Sequence, residues 1–96
     1  MSAFRLPAGA GTPFQRRVWR LALAIPRGRV RTYGELAARL RTSPRAVGQA
    51  LKANPFAPRV PCHRVVAAGG RLGGYQGVAR SRVKRALLAR EGVTLR

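Results

Sequence analysis

The chain has 96 residues, 46% of them hydrophobic, which is enough for one domain with a single modest core and too few for two. Twenty Lys and Arg (eighteen of them Arg) stand against two Glu, giving a net charge of +18 and a pI near 12.0. No apolar run approaches the roughly 18 residues of a spanning helix, one cysteine closes no internal disulfide, and one cysteine with one histidine builds no four-ligand zinc site, so these three classes are excluded.

So basic a chain repels itself, and a polyanion relieves that repulsion. Arginine suits phosphate forks and ring stacking better than solubility alone requires. A GC-rich coding bias accounts for arginine over lysine but leaves the near-absence of acids unexplained, so nucleic acid is the expected partner. The opening MSAFRLPAGAGTP lacks the apolar core of a secretory signal, so a cytoplasmic, nucleoid-associated protein is expected, without metal or cofactor.

Residues 1–11 carry Gly, Ala and Pro without periodicity and read as a loose N-terminal arm. Thr12 and Gln15 form a capping box, and Pro13 suits the first helical position, where its missing N–H costs nothing. Phe14, Val18, Leu21 and Ile25 give that helix an inward stripe, and Pro26 and Gly28 end it. Thr32 and Glu35 repeat the capping box for a second helix, with Leu36, Ala37 and Leu40 on its buried side. Ser43-Pro44 opens a third, with Val47, Ala50 and Leu51 inward and Arg45, Gln49 and Lys52 outward, and Asn54-Pro55 stops it. Two short helices joined by a tight polar turn, the second basic on its free face, describe a helix-turn-helix; an ordinary helical hairpin has the same outline. Val65-Val66, Ala68-Gly69-Gly70 and Leu72 read as a hairpin or wing, and residues 73–77 as a flexible loop. Ser81 caps a last helix bearing Val83, Leu87 and Leu88, with Gly92 as its C′ residue. The fold class expected is mainly α with a small β element, a winged helix-turn-helix-like single domain.

The only cysteine and the only histidine are adjacent, in Pro61-Cys62-His63-Arg64-Val65. An imidazole acts on a thiol proton directly or through a water, and the thiolate is the nucleophile. A buried structural cysteine beside a loop histidine gives the same dipeptide. Glu35 has its capping role, which leaves Glu91, set at a helix C-terminus where the macrodipole disfavours an anion. It either pairs with a surface arginine or orients His63 in a Cys–His–Glu relay. Such a relay serves acyl transfer in proteases, but the basic composition fits a polyanionic substrate better than a peptide. Attack of the thiolate on a saturated carbon yields a stable thioether. Without a second cysteine to resolve it, the protein then acts once, which suits repair of rare damage.

The motifs TPFQRRVW (12–19), TYGELA (32–37), PRAVGQAL (44–51), NP (54–55), PCHRVV (61–66), GGYQG (73–77) and LLAREG (87–92) resemble, in this order, the C-terminal active domain of the O6-alkylguanine-DNA alkyltransferases. The resemblance implies that 12–96 is one alkyltransferase-type DNA-binding and active-site domain. It implies Cys62 as alkyl acceptor, His63 as base through a water, Glu91 as completing the relay, and Tyr33 as helping rotate the nucleotide and donating to the guanine ring. It implies Arg45 as the finger entering the base stack, with Ala46 and Gly48 small for close minor-groove approach and Gln49 beside them. Asn54, Leu51, Val65, Tyr75 and Gln76 are implied as the substrate pocket. The implied partner is double-stranded DNA containing O6-alkylguanine, bound by a monomer away from membranes, and the implied reaction is an irreversible, single-turnover methyltransferase-type transfer to Cys62. Flipping is needed because a stacked guanine hides its alkylated oxygen.

Three departures stand out: the N-terminal domain of full-length transferases is missing, the Tyr33–Arg45 segment is shorter, and the loop after Tyr75 has less glycine. The first two are shared with alkyltransferase-like proteins, which bind lesions without repairing them and flag them for nucleotide-excision repair proteins. Those carry tryptophan at the acceptor position, where this chain has Cys62. The expected functions are therefore alkyl transfer, or lesion binding without chemistry, or a basic winged-helix DNA-binding regulator.

Overall fold

The computed structural model describes residues 4–57, 59–68, 74–75, 78–79 and 82–93. Among the described residues, four helices are arranged in the order α1 (Pro13–Leu23), α2 (Tyr33–Leu40), α3 (Pro44–Lys52) and α4 (Arg82–Arg90), with the short strands β1 (Arg31–Thr32), β2 (Val65–Val66), β3 (Gly74–Tyr75) and β4 (Val78–Ala79) between them. A 3-10 turn, Cys62–Arg64, carries the Cys-His pair. The mainly helical fold class is as expected.

Local chemistry starts the first three helices where the sequence places them. Thr12 accepts from the Gln15 amide and Gln15 returns the bond to Thr12 N, a complete capping box. Thr32 and Glu35 do the same for α2, and Ser43 accepts from Ala46 N in front of Pro44. Ser81 lies outside the described residues. α4 ends in a Schellman motif: Gly92 has φ +81°, its N–H donates to the Ala89 carbonyl, and Val93 N donates to Leu88. α2 ends in the same pattern with Arg41 in the left-handed position at φ +56°, where a side chain is strained.

The core lies between the inward faces of α1, α2 and α3. Val18, Ile25, Leu36, Ala37, Val47, Ala50 and Leu51 are buried as the periodicity implies, with Phe14, Leu21 and Leu40 partly so. Trp19 and Ala22 join them, which turns the inward face of α1 further than a stripe on Phe14 and Leu21 suggests. The indole is buried because its one polar atom is satisfied, Nε1 donating to the Ala50 carbonyl at 2.8 Å. Phe56 stacks edge-on to Trp19, and Phe4 packs against Phe56. Residues 4–11, read from sequence as a loose arm, therefore place Phe4 and Leu6 against the core.

Val65-Val66 is a strand and pairs in parallel with β1, Arg31 opposite Val65 and Thr32 opposite Val66; the hairpin or wing expected through Gly69, Gly70 and Leu72 lies outside the described residues. One expectation is corrected. The antiparallel pair falls where a flexible loop was expected, Gly74 opposite Ala79 and Tyr75 opposite Val78. Tyr and Val are strand formers, and two residues between them is the shortest common hairpin spacing, a signal the surrounding glycines obscure. On α4 the inward residues are Lys84 and Leu88, while Val83 is 59% exposed. A lysine displaces a valine from the interior because its ammonium finds partners there, described next.

Candidate active site and nucleic-acid interface

The Cys62 turn is held from both ends. Before it, buried Asn54 donates from Nδ2 to the Val60 carbonyl at 3.0 Å and accepts from Phe56 N at 2.8 Å, closing the loop that leaves α3. The same Val60 carbonyl accepts from Cys62 N at 2.8 Å, and Pro61, at φ -82° and ψ 65°, sits in an inverse γ-turn that its ring favours. After it, the β1–β2 pairing lays the strand following the turn beside the residues that open α2. Tyr33, the first residue of α2, is thereby brought to the Cys62 neighbourhood. Cys62 itself is buried.

At the turn, His63 and Glu91 meet, Nε2 to Oε2 at 3.0 Å, with His63 buried and the Glu91 side chain 6% exposed. Arg64 forks onto the same carboxylate, Nε to Oε1 at 2.9 Å and Nη2 to Oε2 at 2.8 Å, and its Nη1 donates to the Ile25 carbonyl at 2.8 Å. The two readings of Glu91, an arginine partner or a histidine orienter, are thus one arrangement. These donors offset the unfavourable helix end. The Arg64 fork, followed by the His63 bond, holds the Glu91 carboxyl down to about 2 against the opposing effect of burial. Glu91 is therefore ionised and accepts only, so the proton at this contact sits on His63 Nε2. Burial lowers the His63 pKa below its ordinary value and outweighs Glu91, so the ring is neutral near pH 7 and Nδ1 is its basic nitrogen.

Tyr33 and Lys84 form a second group near the turn. Lys84 Nζ donates to the Val65 carbonyl at 2.6 Å and to the Tyr33 hydroxyl at 3.3 Å, and lies 5.5 Å from the centroid of the Tyr33 ring. Burial pushes the Lys84 ammonium down to about 8, and the charge of a Cys62 thiolate acts in the opposite direction. Burial, and after it the Cys62 charge, raises the Tyr33 pKa, so the phenol keeps its proton and is a donor. A thiol thus shares its neighbourhood with a base held by an anion and a phenol backed by an ammonium. Attack by sulfur and protonation of a leaving group are the chemistry these four groups support together.

Of the residues singled out from sequence, the structure brings Cys62, His63, Glu91, Tyr33 and the Val65 carbonyl together, with Asn54 fixing the loop behind them. Leu51 faces the core from α3. Tyr75 is described in backbone only, and Gln76 lies outside the described residues. Arg45, Gln49 and Lys52 are exposed on the outer face of α3, flanked by half-exposed Ala46 and Gly48. A methyl group at Gly48 would meet nothing within 4 Å. That smooth, basic face is the candidate nucleic-acid surface. Sequence reasoning missed Arg64 and Lys84. The available signal for Lys84 was that it is one of two lysines among twenty basic residues and stands four residues before Leu88, on the same helical face.

Residues 13–93 match the family model for the DNA-binding domain of 6-O-methylguanine DNA methyltransferase. The methylated-DNA–protein-cysteine methyltransferase of Methanothermobacter thermautotrophicus is 48% identical over 90 residues, which cover 94% of this chain and 50% of that protein. The crystal structure of Mycobacterium tuberculosis OGT in complex with DNA aligns with a TM-score of 0.76 at 51% identity, covering 85% of this chain and 50% of that one. That of S. pombe Atl1 in complex with damaged DNA containing O6-carboxymethylguanine aligns at 0.74 and 34% identity, covering 84% and 77%. The chain spans about half the length of the curated relatives it matches. Its matched stretch contains the whole Cys62–His63–Glu91 arrangement and the basic face of α3, and the chain belongs to the 6-O-methylguanine DNA methyltransferase family.

Proposed function

We propose that this protein is a DNA repair alkyltransferase that moves the alkyl group of an O6-alkylguanine onto Cys62. α3 lies along the minor groove with Ala46 and Gly48 against it and Gln49 at its edge, and Arg45 fills the stack that the flipped nucleotide leaves. His63 Nδ1 takes the thiol proton through a water, while Glu91, held by Arg64, keeps the imidazole oriented and stabilises its cation. The sulfur attacks the alkyl carbon, an S–C bond forms and the O–C bond to guanine breaks. Tyr33 donates a proton to the departing guanine and recovers one from Lys84, so guanine leaves neutral. The net reaction turns thiol and alkylguanine into thioether and guanine, and the protein is spent. With this substrate the protein is read as a cytoplasmic, nucleoid-associated monomer.

The observation that carries the reading is the buried His63–Glu91–Arg64 node next in the chain to the only cysteine, with the Lys84–Tyr33 pair close enough to feel its charge. A protein that only bound lesions needs a pocket and a basic face, not a neutral histidine and a proton donor near a thiol. The likeness to Atl1 bound to damaged DNA is what favours that second reading. Intact-protein mass spectrometry after incubation with lesion-bearing duplex separates the two. The expected result is a gain of one alkyl group on Cys62, and none for Cys62→Ala, which still retains the lesion duplex. An unmodified wild-type thiol at saturating lesion overturns the proposal in favour of lesion binding alone.

A further inference from the structure

The exposed side of α1 carries charge that the proposed chemistry does not use. Val18, Trp19 and Ala22 turn into the core, and on the opposite side of the helix Arg17 and Arg20 are exposed. Arg16 donates from Nη1 to the carbonyls of Pro7 at 2.7 Å and Ala10 at 3.1 Å, which fastens the preceding segment along the helix. Arg5 is thereby brought beside Arg16 and Arg20, and with Phe4, Leu6 and Leu23 they line a hollow of about 270 Å³. Both glutamates of the chain are engaged elsewhere, Glu35 at Thr32 and Arg31 and Glu91 at His63 and Arg64.

α1 and α3 pack through their buried sides, joined by the bond from Trp19 to the Ala50 carbonyl, so the exposed Arg17 and Arg20 lie on a different face of the domain from Arg45 and Lys52. Axes ~8–10 Å apart and side-chain radii of ~5–6 Å set the outer surfaces of such a pair up to about 20 Å apart. Charges are screened beyond about 8 Å at physiological salt. A duplex seated on α3 therefore leaves the α1 arginines without a counter-charge.

We infer that the outer face of α1, with Arg5, Arg17 and Arg20, is a second phosphate-binding surface that takes the backbone of a second DNA duplex while α3 holds the first. Guanidinium forks match phosphate oxygens, and a face of arginines without base-reading amides binds independently of sequence. One molecule then tethers two duplex segments. The α3 end of that tether rests on the function proposed above, whereas the α1 end stands on its own geometry.

The test uses the full chain, a plain duplex on beads and a labelled second duplex in solution. Wild type is expected to capture the second duplex in proportion to protein concentration. The variant R5Q/R17Q/R20Q is expected to capture about tenfold less, while it melts, binds a single duplex and alkylates Cys62 as wild type does. Equal capture by both proteins overturns the inference. So does absence of capture by wild type, or capture rising with the square of protein concentration, which marks two copies pairing. Capture by wild type and its loss in the variant, with no alkyl group on Cys62 in either, supports the second surface and removes the proposed chemistry.

Discussion

Gly48→Ala adds one methyl group to α3, and the proposed geometry requires its two effects to have opposite signs. Gly48 has no left-handed φ, and the new Cβ meets nothing within 4 Å, so alanine adopts the same backbone at no steric cost. Glycine in a helix interior is worse than alanine by about 0.5–1 kcal/mol, so the variant should be more stable by that amount. For a domain of this size, that raises the melting temperature by roughly 2–8 °C. The DNA effect runs the other way. A helix about 10–12 Å across does not enter a minor groove of about 6 Å, so α3 gains contact only by close backbone approach and some opening of the groove. A methyl forced into a packed interface costs about 1–3 kcal/mol, which corresponds to roughly five- to 150-fold weaker binding of lesion duplex. Calorimetric melting and fluorescence anisotropy read the two effects, and alkylation by the free alkylated base, which needs no groove, should proceed at the wild-type rate. A variant that melts higher and binds lesion duplex as tightly as wild type would refute the seating of α3.

Other substitutions probe the node behind Cys62. Glu91→Gln should slow alkyl transfer by about ten- to a hundredfold and destabilise the fold by about 3 kcal/mol, since it removes the orienting anion and leaves Arg64 unforked. Because the Glu91 pKa is depressed in the folded state, the unfolded chain binds more protons in acid. The stability Glu91 contributes is complete above about 4.5 and lost as pH falls toward about 2, and denaturant titrations of the variant across that range should lack this slope. Lys84 is depressed from 10.5 to about 8, so the unfolded chain again holds the extra proton between those values; wild-type stability should rise from pH 8 to 9, before Tyr33 of the unfolded chain ionises near its ordinary 10.0, and Lys84→Met should abolish the rise. A flat wild-type profile would mean that the ammonium is solvated. Arg41→Gly should raise the urea midpoint, by about 1 kcal/mol in stability, because it relieves a left-handed residue at the end of α2; a fall would show that the Arg41 side chain makes up its backbone strain.

What the sequence determined by itself is whatever depends on neighbours within one helical turn. The Thr12–Gln15 and Thr32–Glu35 boxes, Ser43 ahead of Pro44 and the Gly92 stop are bonds between residues three to five apart, so they were legible as spacing. So was the outward placement of Arg45, Gln49 and Lys52, since helical period alone assigns faces once Val47, Ala50 and Leu51 are inside. The suspicion attached to Glu91 came from rarity and from an ill-suited helix end. Tertiary structure decided what those neighbours could not. Arg64 reaches Ile25 across 39 residues and Lys84 reaches Tyr33 across 51, and no local pattern marks a bond of that separation. The parallel pairing of Val65-Val66 with Arg31-Thr32 is of the same kind. Lys84 is inside and Val83 outside because a buried ammonium is tolerable only where a carbonyl and a hydroxyl receive it, and those acceptors exist only once the chain has folded.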